Sequence, residues 1–246
     1  MKYLKKSLFL LFLGITVNTF GQAAILALIF GDKVASEEFN LSLEIGGGFN
    51  NYSNLDNSEF GGVAINFGIA GNIKLGERFY FSPTAYFLSK RQAEITSLSL
   101  DSGDPSLDAL FTDVPTSIEF SYTEVPLIFS YASKSGAWRY STGVQLSFRG
   151  KVDAIFQNEE GTFTENYKPY VNSFNYGPIA EVAYNFQKIR NGKGAIVRMR
   201  YYYGVNDVFN SSFKNANVKD SGVYVMLSFP FVTDAIAAKN LQRLNK

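Results

Sequence analysis

From Trp138 to Gly150 the chain reads WRYSTGVQLSFRG. Tyr140, Thr142, Val144, Leu146 and Phe148 alternate with Arg139, Ser141, Gly143, Gln145, Ser147 and Arg149. Successive side chains of a strand point to opposite faces, so the segment predicts a strand with one apolar face and one polar, charged face. Similar patterning predicts eight strands: Phe39–Asn50, Gly62–Leu75, Phe79–Gln92, Ser117–Tyr131, Trp138–Lys151, Ser173–Gln187, Ala195–Gly204 and Ser221–Phe231. Most match or exceed the roughly 9–11 residues with which a tilted strand crosses a bilayer. The connections alternate in length. Residues 75–78, 132–137 and 188–194 are short and turn-like, whereas 51–61, 93–116, 152–172 and 205–220 are longer and polar. Outer-membrane barrels keep short turns in the periplasm and long loops outside. The expected fold is therefore all-β: an eight-stranded antiparallel transmembrane up-and-down β-barrel over residues 39–231, with short N- and C-terminal periplasmic helices. The loops at 93–116 and 152–172 are long enough to hide further strand, so ten strands stay open.

Aromatic positions follow this topology. Phe79, Phe81, Phe129, Tyr131, Trp138, Tyr140, Tyr184, Phe186, Phe229 and Phe231 fall beside the short turns or at the last strand end. They predict one interfacial girdle, and Phe49, Phe87, Phe148, Phe174 and Tyr203 the other. Two segments lie outside the barrel. The first, residues 22–38, contains an apolar run broken near Gly31-Asp32, and the second, residues 232–246, reads as a helix capped by Thr233. Before them, a basic start, the apolar run SLFLLFLGITV and small residues at Thr19 and Gly21 match a signal peptide over residues 1–21, with cleavage before Gln22.

Composition narrows the chemistry. The 246 residues include neither histidine nor cysteine. Histidine-dependent hydrolytic dyads and triads are thereby excluded, as are thiolate nucleophiles, disulfides and most zinc sites. No cofactor or metal is expected, and the chain is not expected to be an enzyme. A net charge of +1 gives no case for nucleic acid as a partner.

Alternation also sorts the charges. One parity carries Leu41, Leu43, Ile45, Val63, Ile65, Phe67, Ile69, Val125, Leu127, Val182, Met199 and Val225. The other carries Glu44, Asn66, Asn72, Lys74, Tyr80, Tyr86, Glu124, Gln145, Glu181, Arg198, Arg200, Tyr202 and Tyr224. A soluble lipocalin-like barrel would turn the apolar parity inward. Alternation alone does not decide between the two, but strand length, girdles and loop asymmetry favour the membrane. Counted from the short turns, Glu44, Glu124, Glu181, Arg198, Arg200 and Gln145 share one middle layer of the lumen. Eight strands leave room mainly for side chains, so these residues are expected to form a buried ion-pair network filling the barrel. A charged gate, or Glu44 and Glu124 acting as acid and base, are the alternatives.

Other candidates carry less. Gly46-Gly47-Gly48 lacks the Lys-Ser/Thr and following helix of a phosphate loop, and fits better as room for lumen side chains. Asp101, Asp104, Asp108 and Asp113 are candidate calcium ligands without EF-hand spacing. Asn51-Tyr52-Ser53 and Asn210-Ser211-Ser212 fit the glycosylation pattern.

Ser121-Tyr122-Thr123-Glu124-Val125-Pro126-Leu127-Ile128 resembles the Tyr-x-Glu-(aliphatic)-Pro-Leu motif of the PorT-like outer-membrane β-barrel proteins of Bacteroidetes. Arg78–Tyr86, with its mid-strand Pro83, resembles one of their strands, and Tyr201–Asn206 (YYYGVN) their Tyr-x-x-Gly-(aliphatic)-(Asn/Asp) element. Ala27–Lys33 is similar to the mature N-terminal segment of one subgroup. The resemblance implies a barrel in the outer membrane, in contact with its lipid and with envelope or secretion-system proteins as partners. The leading expectation is a structural or interaction protein. A narrow transport channel and an accessory component of a protein-export machine are the alternatives.

Overall fold

The structure, a computed structural model, describes residue 31 and residues 35–55, 62–213 and 217–244. Its strands are β1 (Phe39–Ser53), β2 (Gly62–Lys74), β3 (Phe79–Leu98), β4 (Val114–Ala132), β5 (Trp138–Asn158), β6 (Gly161–Asn166), β7 (Phe174–Asn185), β8 (Ile196–Tyr203) and β9 (Lys219–Pro230). Neighbours run β4-β3-β2-β1-β9-β8-β7-β5, and β4 also pairs with β5, so eight antiparallel strands close into a ring. Closure leaves no unpaired edge, the condition for placing strands in a bilayer. A ninth strand, β6, stays outside the ring as a hairpin partner of the upper part of β5. The expected leader at 1–21 and the apolar run as far as Phe30 lie outside the described residues.

Five strands run past their expected ends, β1 and β9 by two or three residues and β3, β4 and β5 into the long loops. The 93–116 loop is partly strand, since β3 continues to Leu98 and β4 begins at Val114, with the single-turn helix α1 (Pro105–Leu110) between them. Asp104 caps α1 by accepting from the Ser106 and Leu107 amides, and Pro105 stands at its start. The 152–172 loop likewise holds the end of β5 and all of β6.

Backbone geometry keeps one parity inward along each strand, but its chemistry changes with height. On β4 the outer face is Val125, Leu127, Phe129 and Tyr131 near the short turns, then Thr123, Ser121, Glu119 and Ser117 toward the long loops. Its inner face changes the other way, with Ser130 and Glu124 giving place to Tyr122, Phe120 and Ile118. In β5 the apolar outer run Trp138–Phe148 gives way to Gly150, Lys151 and Asp153, while Val152, Ala154 and Phe156 turn in. The apolar band is the bilayer-facing wall, and above it the sheet stands in water. There the inward residues Tyr52, Ile95, Ile118, Phe120, Val152 and Phe156 join Val208, Phe209 and Val218 from the loops in one core that fills the extracellular end. The loops are stitched down as well. Asn172 donates to the carbonyls of Asp207 and Phe209, and Asn206 donates to Phe174 and accepts from the Tyr176 amide.

The apolar band ends in aromatics. Phe79 pairs with Tyr131 at 5.3 Å between ring centroids, Phe81 with Phe129 at 4.7 Å and Trp138 with Tyr184 at 4.9 Å, all beside the short turns. At the other boundary Phe148 packs on Phe174 at 5.3 Å. After β9, α2 (Asp234–Leu244) starts where Thr233 accepts from the Ile236 amide. It packs on the β7–β8 turn. Gly192 there has φ +86, and a Cβ would meet the Ala237 carbonyl at 2.4 Å and Leu241 at 2.8 Å. Glycine is needed both for that backbone shape and for the helix to sit so close.

Candidate functional site

Inside the ring the lumen is filled, and its charges fall into two stacked clusters. β8 supplies Arg198 and Arg200, two residues apart on the inward parity, and β7 sets Glu181 directly opposite Arg200. Arg198 donates to Glu181 Oε1 at 2.8 Å, and its Nε lies 3.2 Å from Glu44 Oε1 without hydrogen-bond alignment. Arg200 binds Glu181 Oε2 through Nε at 2.9 Å and through the second nitrogen at 2.7 Å. Its remaining nitrogen donates to the Tyr86 hydroxyl at 3.0 Å, and that hydroxyl donates to Glu44 Oε2 at 2.6 Å. Glu44, Arg198, Glu181, Arg200 and Tyr86 thus form a closed circuit across four strands, with two carboxylates matched by two guanidiniums. Gly68 makes the circuit possible, since a Cβ there would lie 2.7 Å from the Tyr86 ring.

The second cluster lies nearer the long loops. Arg91 of β3 is ion-paired to both Glu124 of β4 and Asp220 of β9, and all three side chains are at most 1 % exposed. The guanidinium also lies over the rings of Tyr122 at 4.9 Å and Tyr202 at 5.0 Å. Asn175 joins from β7, donating to Asp220 at 3.1 Å and accepting from the Tyr202 hydroxyl at 3.0 Å. This cluster has one guanidinium for two carboxylates, and Glu124 Oε2 is buried without a hydrogen-bond partner.

The single layer expected from sequence is therefore divided. Glu44, Glu181, Arg198 and Arg200 come together, whereas Glu124 pairs with neither Arg198 nor Arg200 but with Arg91. Gln145 is buried, yet its amide nitrogen has no partner and it joins neither cluster. Arg91 and Asp220 are the residues that strict alternation misses. Phe87 is an extra residue in β3: Tyr86 pairs with Gly68 and Leu88 with Phe67, so Phe87 and Leu88 both face out and the parity flips. This bulge brings Arg91 inward. Asp220 lies just before the expected strand start, in the inward phase of Gly222, Tyr224 and Met226, so two more residues of strand would reveal it. Apolar side chains also share the lumen, with Ile128, Ile179 and Met226 packed beside Tyr86, Tyr202 and Tyr224.

The loop aspartates do not converge. Hydrogen bonds from Ser106 hold the Asp104 carboxyl below the usual range, and those from Ser102 do the same for Asp108. Asp113 accepts from Ser97 and Ser99. Among the described residues no group of acids is placed to hold a metal ion.

A closed eight-stranded ring with a lipid-facing apolar wall is now in view. The family model of the outer membrane protein beta-barrel domain matches residues 30–210. The chain belongs to that family. It is a small outer-membrane β-barrel protein, in contact with the lipid of the bacterial outer membrane. Solved structures similar to it include Ail, the attachment invasion locus protein of Yersinia pestis (TM-score 0.42, 10 % identity, 80 % of this chain and 100 % of that chain). Neisserial surface protein A gives a TM-score of 0.45 at 11 % identity over 78 % of this chain and 99 % of that chain. OprG of Pseudomonas aeruginosa gives 0.38 at 13 % identity over 78 % and 96 %. Comparison with curated protein sequences finds no match.

Proposed function

We propose that this chain is a closed, non-conducting barrel that acts as a structural and interaction protein of the outer membrane, meeting partners through its extracellular end. The observation that carries the reading is the lumen itself. Two ion-paired clusters span it, the upper one where the outer face turns polar, with side chains at most 2 % exposed. Moving any of these charges aside to open a path breaks a buried pair, at about 3–5 kcal/mol. That cost argues against the channel alternative. The extracellular end supports the interaction role: β3, β4, β5 and β6 rise past the apolar band around their own hydrophobic core, as a stable platform for exposed loops does.

The reading includes no enzymatic role, because histidine and cysteine are absent from the chain and the buried carboxylates are already paired. The finer likeness to PorT-like barrels rests on four sequence segments, one of them the motif around Glu124, whose carboxylate belongs to the upper cluster. An accessory role in protein export draws on that likeness alone. Single-channel recording of the folded protein in planar bilayers tests the reading. It predicts no discrete conductance steps in the wild type, and steady steps abolished by Glu124→Gln would overturn it in favour of a channel.

A further inference from the structure

Below the lower cluster, at the periplasmic mouth, lies a cavity of about 500 Å³ roofed in part by α2. Lys74 of β2, Arg78 of the β2–β3 turn, Lys134 of the β4–β5 turn and Arg139 of β5 all line it. Among the described residues none of these four has a carboxylate within ion-pairing distance. Arg139 instead lies over the Tyr80 ring at 4.3 Å with its Nε unpartnered among the described residues, and Arg78, at the rim, donates to the hydroxyl of the outward-facing Tyr131 at 3.1 Å. Three further cations on the wall are already engaged: Lys239 and Arg243 with Glu37, and Lys193 with Asp234. Glu37 and Glu77 are the only carboxylates among the described lining residues. A chain of net charge +1 thus gathers seven cationic side chains against two carboxylates around one cavity. Asn40, Asn72 and Gln187 add amide groups to the same lining.

We infer that this vestibule is a binding site for a multivalent phosphate-bearing anion. Like charges drawn together in a confined space raise the local potential and concentrate anions of opposite sign. Lysines recognise phosphate as point charges and arginine as a planar fork, and the volume lies within the range of small-ligand sites. The mouth also opens at the level of the inner-leaflet headgroups. Two sources share this chemistry: a soluble di- or polyphosphate in the periplasm, and the phosphate of an anionic lipid.

Pyrophosphate titrated calorimetrically into the folded, detergent-solubilised full chain is the test. One saturable site is expected, weakened by added salt and at least tenfold weaker in Lys74→Gln/Lys134→Gln. Heat-modifiable migration on a gel verifies that the variant is folded, and Lys134→Gln alone, on an exposed turn, gives a smaller loss in the same direction. Repeating the titration in nanodiscs separates the sources. Binding unchanged between phosphatidylcholine and phosphatidylglycerol discs assigns the site to a soluble anion, and loss of binding in phosphatidylglycerol discs assigns it to the lipid headgroup. Absence of saturable binding in detergent, or equal affinity in the folded double variant, overturns the inference.

Discussion

The outer face of β4 carries Val125, Leu127, Phe129 and Tyr131 over one half of its length and Thr123, Ser121, Glu119 and Ser117 over the other. The pleat is the same and every even-numbered residue from Val114 to Ala132 points in, yet the two halves of the cylinder are chemical opposites. In the lower half acyl chains outside favour an apolar exterior, and the charges turn inward and pair. In the upper half water is outside, and the interior becomes a hydrophobic core like that of a soluble protein. Strand geometry fixes which residues share a face, and the surrounding solvent selects what those residues are. The two charge clusters repeat the contrast on a smaller scale. The Glu44–Arg198–Glu181–Arg200 circuit is balanced, whereas among the described residues Glu124 and Asp220 share Arg91 as their one cation.

The sharpest way to break the comparison is therefore Arg91→Met. It leaves two buried carboxylates without a cation and is expected to lower stability by about 3–5 kcal/mol in urea unfolding from detergent or vesicles. Lys90→Met, one residue away on the water-facing exterior, should change stability by no more than about 0.5 kcal/mol. Equal effects at the two positions would mean that Arg91 is not buried in the lumen.

Next in size is the outer face. Val125→Arg places a cation against acyl chains and should cost about 2–4 kcal/mol, whereas Ser121→Arg, on the same face above the band, should stay within about 0.5 kcal/mol. A large cost at Ser121 would move the bilayer boundary up the strand.

The smallest effect concerns the tail helix. The Lys239 ammonium hydrogen-bonded to Glu37 holds that carboxyl below its ordinary value of 4.5. A carboxylate with a lowered pKa contributes its stabilisation above the unfolded value and loses it as pH falls through the folded one. Protection of the α2 amides, taken relative to the intrinsic exchange rate at each pH, should therefore be constant at neutral pH and fall only below about pH 4.5, and Glu37→Gln should remove that fall.

How much of this was legible in the sequence follows from the same contrast. The lower half was readable because a lipid-facing strand must show an unbroken apolar parity: Trp138–Phe148 announces itself, and with it the inward phase of Gln145 and its neighbours. Glu44, Glu181, Arg198 and Arg200 could be grouped by counting from the turns. Arg91 could not, because a single extra residue, Phe87, reverses the phase and leaves no mark in the residue pattern. The ends of β3 and β5 and all of β6 read as loop that leaves room for hidden strand, because above the membrane the outward residues are polar and the apolar parity that defines a lipid-facing strand is gone. Ala93, Ile95, Val152 and Phe156 are strand residues whose apolar phase points inward, and Gly161–Asn166, largely polar, reads as loop until it is seen paired with β5.

The absence of native cysteine allows the central claim to be measured directly. Spin labels on single cysteines introduced at positions 117, 119, 121, 125, 127 and 129 of β4 report their accessibility to dissolved oxygen and to a water-soluble nickel complex in lipid vesicles. The account predicts nickel accessibility at 117, 119 and 121, and oxygen accessibility with nickel exclusion at 125, 127 and 129, with the exchange falling between 121 and 125. Nickel reaching 125–129, or lipid shielding 117–121, would contradict it.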